Sequence, residues 1–133
     1  MTLIIFILVL GVIIFVHELG HFLFAKLMGV YVYEFSLGMG PKLFGKKGKE
    51  TEYCLRLIPI GGFCSMAGEE VDEEEIKVPK NRRLQAKKPW QRFLIMFFGP
   101  GFNFIFAILT LFFVALIWGS SSYEPIISSV EAN

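Results

Sequence analysis

Both histidines of the chain lie close to a glutamate near its start, as His17, Glu18 and His21. On an α-helix, residues four apart project from the same face, about 6 Å apart along the axis. One divalent metal ion can therefore bind both imidazoles. In the pattern His-Glu-x-x-His the glutamate is not a ligand but acts as a general base beside the metal. We predict zinc ligands at His17 and His21 and a catalytic base at Glu18.

The segment that carries these residues is long and apolar. Residues 3–16 contain no polar side chain, and the apolar run resumes after His21 and lasts until Lys26. The run is long enough for a helix that crosses the hydrocarbon core, which needs about 20 residues. A carboxylate inside such a span costs roughly 2.5–3.5 kcal/mol, which favours a functional role for Glu18. The alternative is that these polar residues lie at the cytoplasmic end, reach water and have no role.

Basic residues are confined to the middle of this chain, which is 54% hydrophobic and has a formal charge of +1. No Lys or Arg precedes Lys26 or follows Arg92. Cytoplasmic loops carry the excess of basic residues in membrane proteins, so one such loop joins two spans. The second span is the uncharged stretch 93–118, bracketed by Trp90 and Trp118 and interrupted by Gly-Pro-Gly at 99–101. A signal peptide would need a basic start and a small-residue cleavage site, and neither is present.

The loop begins with a pattern typical of β-strands. Aromatic and apolar side chains alternate with others over residues 30–37, and residues 51–58 read as extended before Pro59 and two glycines. We predict a small sheet or pair of hairpins within residues 29–68, able to dip into the membrane face. The fold class is therefore membrane α+β, with two transmembrane helices flanking a cytoplasmic-side loop that holds a membrane-associated sheet.

The rest of the chain is more polar. The acidic run 69–75 indicates a solvated linker, whereas residues 82–92 suit a juxtamembrane segment at an anionic lipid surface. Pro89 fits the first turn of the second helix. The predicted parts are thus a first transmembrane helix at 1–28, a hairpin region at 29–68, a charged loop at 69–92, a second transmembrane helix at 93–118 and an extracytoplasmic end at 119–133.

Candidates for further ligands are few. Cys54 and Cys64 lie in the cytoplasmic loop, where thiols stay reduced, and we interpret them as structural thiols. A tetrahedral zinc with two histidines and a water needs one more protein ligand, but neither Asp72 nor Glu34 is assigned that role. Asn103 is a polar residue of the second span, and it could hydrogen-bond in a cavity or between packed helices.

Several motifs in order resemble the site-2 protease family, in the bacterial branch that includes the regulator of sigma-E protease. The match covers nearly the whole chain. It consists of His-Glu-Leu-Gly-His at 17–21, Phe-Ser-Leu-Gly-Met-Gly-Pro at 35–41, Ile-Pro-Ile-Gly-Gly-Phe at 58–63, Lys-Pro-Trp at 88–90 with Arg92, and Gly-Pro-Gly-Phe-Asn-Phe at 99–104.

The resemblance implies a zinc enzyme of the cell membrane whose active site faces the cytoplasm. Its substrate would be a transmembrane protein, such as an anti-sigma factor or a signal-peptide remnant, cut inside the membrane by regulated intramembrane proteolysis. The lipid bilayer would be its other partner, and no nucleic acid is expected. The resemblance also implies that Gly61, Gly62, Phe63 and Asn103 lie beside the substrate and that the strands there pair with an unwound substrate segment.

The chain departs from the family in one respect. Family members carry a later Leu-Asp-Gly segment whose aspartate is the third zinc ligand, and the 133 residues contain no such segment. Residues 125–130 resemble the opening strand of the family's PDZ domain. We therefore expect an N-terminal part of the protease that is inactive alone. A segment of a divalent-metal transporter and a catalytically inactive membrane scaffold are the alternatives, although a transporter would need more polar residues in its second span.

Overall fold

The computed structural model describes residues 1–69 and 78–119 of the chain. Its first helix, α1, covers Thr2–Leu27 and confirms the helix predicted around the histidine motif. The 26 residues extend about 39 Å, more than the roughly 30 Å of a hydrocarbon core. The helix ends before Gly29, whose φ of 71° is a left-handed conformation that favours glycine. The N–H of Val30 then donates to the carbonyl of Ala25 at 2.8 Å.

The second helix, α2, covers Pro89–Trp118 and begins ahead of the uncharged stretch that starts at Phe93. Pro89 stands in the first turn, as predicted, where its missing N–H removes no helical hydrogen bond. The side chain of Gln91 accepts a hydrogen bond from the N–H of Lys88 at 3.0 Å and caps this end. The helix continues through the Gly-Pro-Gly sequence, although Pro100 cannot donate to the preceding turn.

Both helices are long and apolar enough to cross a membrane. Large apolar side chains face outward along most of α2 and along the N-terminal half of α1, with Leu3 70% and Phe104 73% exposed. Soluble monomers rarely expose apolar surface of this extent. The length and composition of both helices are thus compatible with membrane spans.

Two long strands, β1 at Val32–Lys47 and β2 at Glu52–Met66, form an antiparallel sheet. This confirms the predicted small sheet. The strands are bent, so that Phe35 is paired both with Cys64 and with Tyr53. The first half of β1 thus lies between two stretches of β2. Its side chains are covered on both faces, since Phe35 and its neighbour Ser36, which projects from the opposite face, are both buried.

The bend of the sheet is made by glycines, with φ of 85° at Gly38, 83° at Gly40 and 90° at Gly61. The bent end reaches the middle of α1, where a Cβ on Gly11 would lie 3.1 Å from the carbonyl oxygen of Pro59. The opposite end, at the turn between the strands, lies beside the C-terminus of α1. The sheet therefore runs along much of α1, over a distance of about 20 Å.

A small core joins the two helices to the part of the sheet where β1 begins and β2 ends. Ala25, Val30, Val32 and Ile95 are fully buried there. The phenyl rings of α1 pack on both neighbours. Phe22 lies 4.8 Å from Phe35 of β1, and Phe24 stacks on Phe98 of α2 at 3.6 Å. This core fixes the C-terminal half of α1, which carries the histidine motif.

The segment between the sheet and α2 is described from Val78 onward. It forms two short 3₁₀ helices, Lys80–Arg82 and Leu84–Ala86. Leu84 is buried in the core, and its N–H donates to the carbonyl of Ala67 at 2.7 Å. This segment is therefore held to the sheet. Most of the acidic run, Asp72 and the predicted PDZ-like start lie outside the described residues.

A cluster of ion pairs connects the turn between β1 and β2 to the rest of the fold. Glu50 accepts hydrogen bonds from Arg82, whose Nη2 lies 3.0 Å away, and from Lys26 at 2.9 Å. These cations, Arg82 first, hold the pKa of Glu50 down at about 2. The Arg82 guanidinium also lies 5.2 Å from the ring centre of Tyr31. The cluster connects the end of α1, the turn and the segment that leads into α2.

Candidate active site

The side chains of His17 and His21 each direct their Nε2 atom toward the same point. Their Nε2 atoms lie 3.2 Å apart, with the rings 77° from coplanar. Two nitrogens bound to one tetrahedral zinc, at 2.0–2.1 Å each, lie about 3.3 Å from one another. The pair therefore has the separation that a shared zinc ion requires, and both side chains are half-buried.

The orientation of His21 is set by α2. Its Nδ1 lies 2.8 Å from the backbone carbonyl of Ile95, a fully buried residue. Because a carbonyl only accepts, Nδ1 must carry the proton and donate it. The lone pair of Nε2 then faces His17. Metal-binding histidines commonly donate their other ring N–H to a carbonyl in this way, which fixes the tautomer for the metal.

The orientation of His17 depends on Asn103 of α2. The side-chain amide lies 3.4 Å from Nδ1 of His17, and the buried Oδ1 has no hydrogen-bond partner when the amide nitrogen faces the ring. A half-turn of the amide exchanges its two ends. In that orientation Oδ1 would accept the Nδ1 proton of His17 and would leave Nε2 free for zinc. Asn103 thus contacts His17, one of the two predicted zinc ligands, whereas the sequence left its role open.

Glycines allow α1 and α2 to approach closely at the site. A Cβ on Gly20 would lie 2.8 Å from the carbonyl carbon of Phe98, and a Cβ on Gly99 would overlap the ring of His21. Real Cβ atoms are not found at such distances from backbone or rigid rings. The backbone that approaches Gly20 is that of α2. Both glycines are buried.

The third motif residue, Glu18, faces the sheet. A Cβ on Gly62 would lie 3.5 Å from Cγ of Glu18 and only 2.7 Å from the carbonyl oxygen of Ser36. The missing side chain at Gly62 therefore lets β2 pass between β1 and the carboxylate. Phe63 follows, with 37% of its surface exposed. Gly61, Gly62 and Phe63, predicted to bind substrate, thus lie on the strand beside Glu18.

The described residues do not supply a third metal-binding side chain to the histidine pair. Among residues 1–69 and 78–119, the one close group of such side chains is Glu34, Glu52 and Cys54. Both of its carboxylates are already ion-paired, Glu34 with Arg56 at 2.7 Å and Glu52 with Lys42 at 2.6 Å. Glu34 is therefore engaged away from the histidines, and Asp72 lies outside the described residues.

Cys54 and Cys64, interpreted from the sequence as structural thiols, are both free and buried. Burial raises the pKa of the Cys64 thiol to about 12, and the nearby charge of Glu18 adds to the effect. Burial also raises the pKa of Cys54. Both therefore remain neutral thiols in the packed sheet, where they act as small apolar side chains.

Sequence reasoning missed two features of the site, the carbonyl of Ile95 and the close contact at Gly99. A backbone carbonyl leaves no mark in the identity of its residue, so the first could not have been found. In the sequence alone, Gly-Pro-Gly only interrupts the apolar stretch. Its first glycine, which lies against His21, was a signal for close packing that the pattern alone could not assign.

Comparison with known proteins finds peptidases. The model of Peptidase family M50 matches residues 5–132. A protein of Clostridium perfringens named as a zinc metalloprotease is 46% identical over 108 residues, which are 81% of this chain and 30% of that protein. One of Thermotoga maritima with a similar name is 46% identical over 119 residues, or 90% and 24%. Zinc metalloprotease Rip1 of Mycobacterium tuberculosis is 34% identical over 101 residues, or 73% and 24%. The chain thus spans less than a third of each relative.

Proposed function

Because this chain belongs to peptidase family M50, the site-2 proteases, and its relatives are zinc metalloproteases, we propose that it supplies two zinc ligands and the general base of an intramembrane protease. The observation that carries the proposal is the 3.2 Å separation of the Nε2 atoms of His17 and His21 on a helix apolar enough to span a membrane. Glu18 is the base. The chain spans less than a third of these relatives, so the activity belongs to the complete protein.

Bound zinc supplies Lewis acidity toward the scissile carbonyl and makes water more acidic. The residues of this chain then have separate tasks. Ile95 and Asn103 hold the imidazoles so that their Nε2 lone pairs converge. Glu18 takes a proton from the water whose oxygen attacks the carbonyl carbon. It gives a proton to the amide nitrogen as the carbon–nitrogen bond breaks.

We also propose that α1 and α2 span the membrane and that the loop between them lies in the cytoplasm. The outward apolar side chains of both helices and the confinement of Lys and Arg to the loop support this orientation. A cysteine placed at exposed Lys47 should be labelled by an impermeant maleimide only after cells are opened. Labelling of Lys47→Cys in intact cells would contradict the orientation, and opened cells provide the control.

The substrate, in this proposal, is a transmembrane segment, for example of an anti-sigma factor or a signal-peptide remnant. The part of β2 from Gly62 to Met66 is paired with β1 along one edge, and no second strand covers its other edge in the described ranges. A free edge can pair with an extended peptide through backbone hydrogen bonds. Because Gly62 lies against Glu18, such a peptide would be held close to the general base.

The transporter alternative finds little support in α2. Asn103 is engaged near His17, and the hydroxyl of Thr110 donates to the carbonyl of Phe106 in its own helix at 2.8 Å. Neither arrangement extends a polar path along the described part of α2. A scaffold without activity would not require the convergence of the two imidazoles.

Cleavage in a bilayer tests the proposal. The complete protein, reconstituted in liposomes, should cut a single-span peptide, and a zinc chelator should abolish cleavage that added zinc restores. A matched peptide whose span is replaced by a soluble sequence is the control for membrane-bound substrate. Cleavage that is indifferent to the chelator would contradict a zinc mechanism, and zinc flux without cleavage would favour the transporter.

A further inference from the structure

Arg56 lies within β2 and directs its guanidinium group at the bend of β1. Its Nε donates to Oγ of Ser36 at 3.0 Å, and its Nη1 donates to the carbonyl of Gly40 at 2.8 Å. Its Nη2 forms an ion pair with Glu34 at 2.7 Å. Each nitrogen of the guanidinium group therefore has an acceptor on the neighbouring strand.

These acceptors lie on both sides of the bend. Ser36 precedes Gly38 in the chain and Gly40 follows it, and the two glycines have φ of 85° and 83°. Glycine is flexible, so the bend needs contacts that fix it. The planar guanidinium presents its donors in a rigid fork. Arg56 therefore locks the two halves of β1 at one angle.

The same guanidinium group also lies over the ring of Phe63, 4.9 Å from its centre. This distance is within the range of a cation–π contact. Phe63 is paired with Ser36 across the strands, and it follows Gly62, the residue that lies against Glu18. Arg56 thus holds Phe63 through its ring and through its strand partner.

The burial of the ion pair between Arg56 and Glu34 argues against a role in stability alone. The side chains of Arg56 and Glu34 are only 21% and 19% exposed. Ion pairs that are largely removed from water gain little net stability, since desolvation offsets the attraction. Apolar side chains could hold a sheet of this size equally well. What the ion pair provides is a defined geometry at the strand edge beside the general base.

We propose that Arg56 is a positioning residue that fixes the edge of β2 at residues 61–63 against Glu18 and so sets the register in which a substrate peptide is cut. The inference rests on the proposed protease function. Successive residues of a strand are about 3.3 Å apart, so even a small slip presents a different peptide bond to the base. Arg56 touches neither zinc ligand in the described structure, and metal binding should not depend on it.

The test compares Arg56→Ala and Arg56→Lys with the unsubstituted complete protein in liposomes. The readouts are KM, kcat, bound zinc and the bonds that are cut, mapped by mass spectrometry. Arg56→Ala should raise KM about tenfold and spread cleavage to neighbouring bonds, while zinc remains stoichiometric. Arg56→Lys keeps the charge but cannot reach all the acceptors, so its effects should be intermediate. If Arg56→Ala fails to fold, Arg56→Lys tests the inference on its own.

Lys42→Ala is the matched control, because it removes another ion pair of the same sheet, that with Glu52. Lys42 lies opposite Arg56 in the sheet, but its replacement leaves the bonds from Arg56 to Ser36, Gly40 and Glu34 in place. It should cut the same bond as the unsubstituted protein with the same KM. The inference would be overturned if KM and the cut site were unchanged in both Arg56 variants, or if Lys42→Ala changed them equally. Either result would leave the proposed protease function standing. Absence of cleavage by the unsubstituted protein would overturn the proposed function and the inference with it.

Discussion

Glu18→Gln in the complete protein is expected to leave bound zinc unchanged and to lower kcat by about 10²–10⁴-fold, the usual contribution of a general base. The amide keeps the shape of the carboxylate but cannot accept a proton from water. Cγ of Glu18 lies beside Gly62 of the sheet, and its carboxylate is not one of the two proposed zinc ligands, so its replacement should not disturb the metal. Zinc content by atomic absorption and single-turnover cleavage measure the two effects separately.

His17→Ala and His21→Ala provide the contrast. Each removes one of the two nitrogens that converge at 3.2 Å, so each should lose zinc itself and, with it, all cleavage. Added zinc should not restore activity at concentrations that saturate the unsubstituted protein. Full activity of Glu18→Gln would contradict its role as base, and zinc retained at full affinity by either alanine variant would contradict the ligand assignment.

Gly99→Ala is expected to weaken zinc binding about 10–100-fold, with a matching loss of cleavage. Its Cβ would overlap the ring of His21, which must then turn away from the carbonyl of Ile95. Helix propensity acts in the opposite direction, since alanine in a helix is favoured over glycine by roughly 1 kcal/mol. A loss of zinc affinity without a loss of helix content would therefore report the contact itself.

Gly101→Ala is the matched control for this effect. It lies in the same helix, two residues further, and the nearest atom to its added Cβ is 3.5 Å away on the ring of Phe98, an ordinary contact. It should bind zinc as the unsubstituted protein does. If Gly99→Ala and Gly101→Ala had the same zinc affinity, α2 could not lie against His21 as described.

The elements of this fold were largely predictable because each has a local cause. Spacing alone places His17 and His21 on one helix face, and alternation in residues 30–37 predicts a strand. The start of α2 at Pro89 follows from the conformational preference of proline at a first helical turn. Such signals lie within a few residues of the feature that they predict.

The contacts that complete the site were not predictable, because they join residues far apart in the chain. His21 and Ile95 are separated by 74 positions, and Asn103 and His17 by 86. Whether Asn103 hydrogen-bonds within a cavity or only between packed helices depends on which face of α2 meets α1. The double pairing of Phe35 likewise depends on the bends of both strands. Sequence patterns describe single elements and not how they meet.

The most direct test of the account is to map the bond that the complete protein cuts in a single-span substrate within a lipid bilayer. New termini should appear inside the apolar segment of the substrate, in the presence of zinc, and should be absent with Glu18→Gln. Termini found only in the soluble flanks of the substrate would contradict the account, as would termini inside the span that persist unchanged in Glu18→Gln.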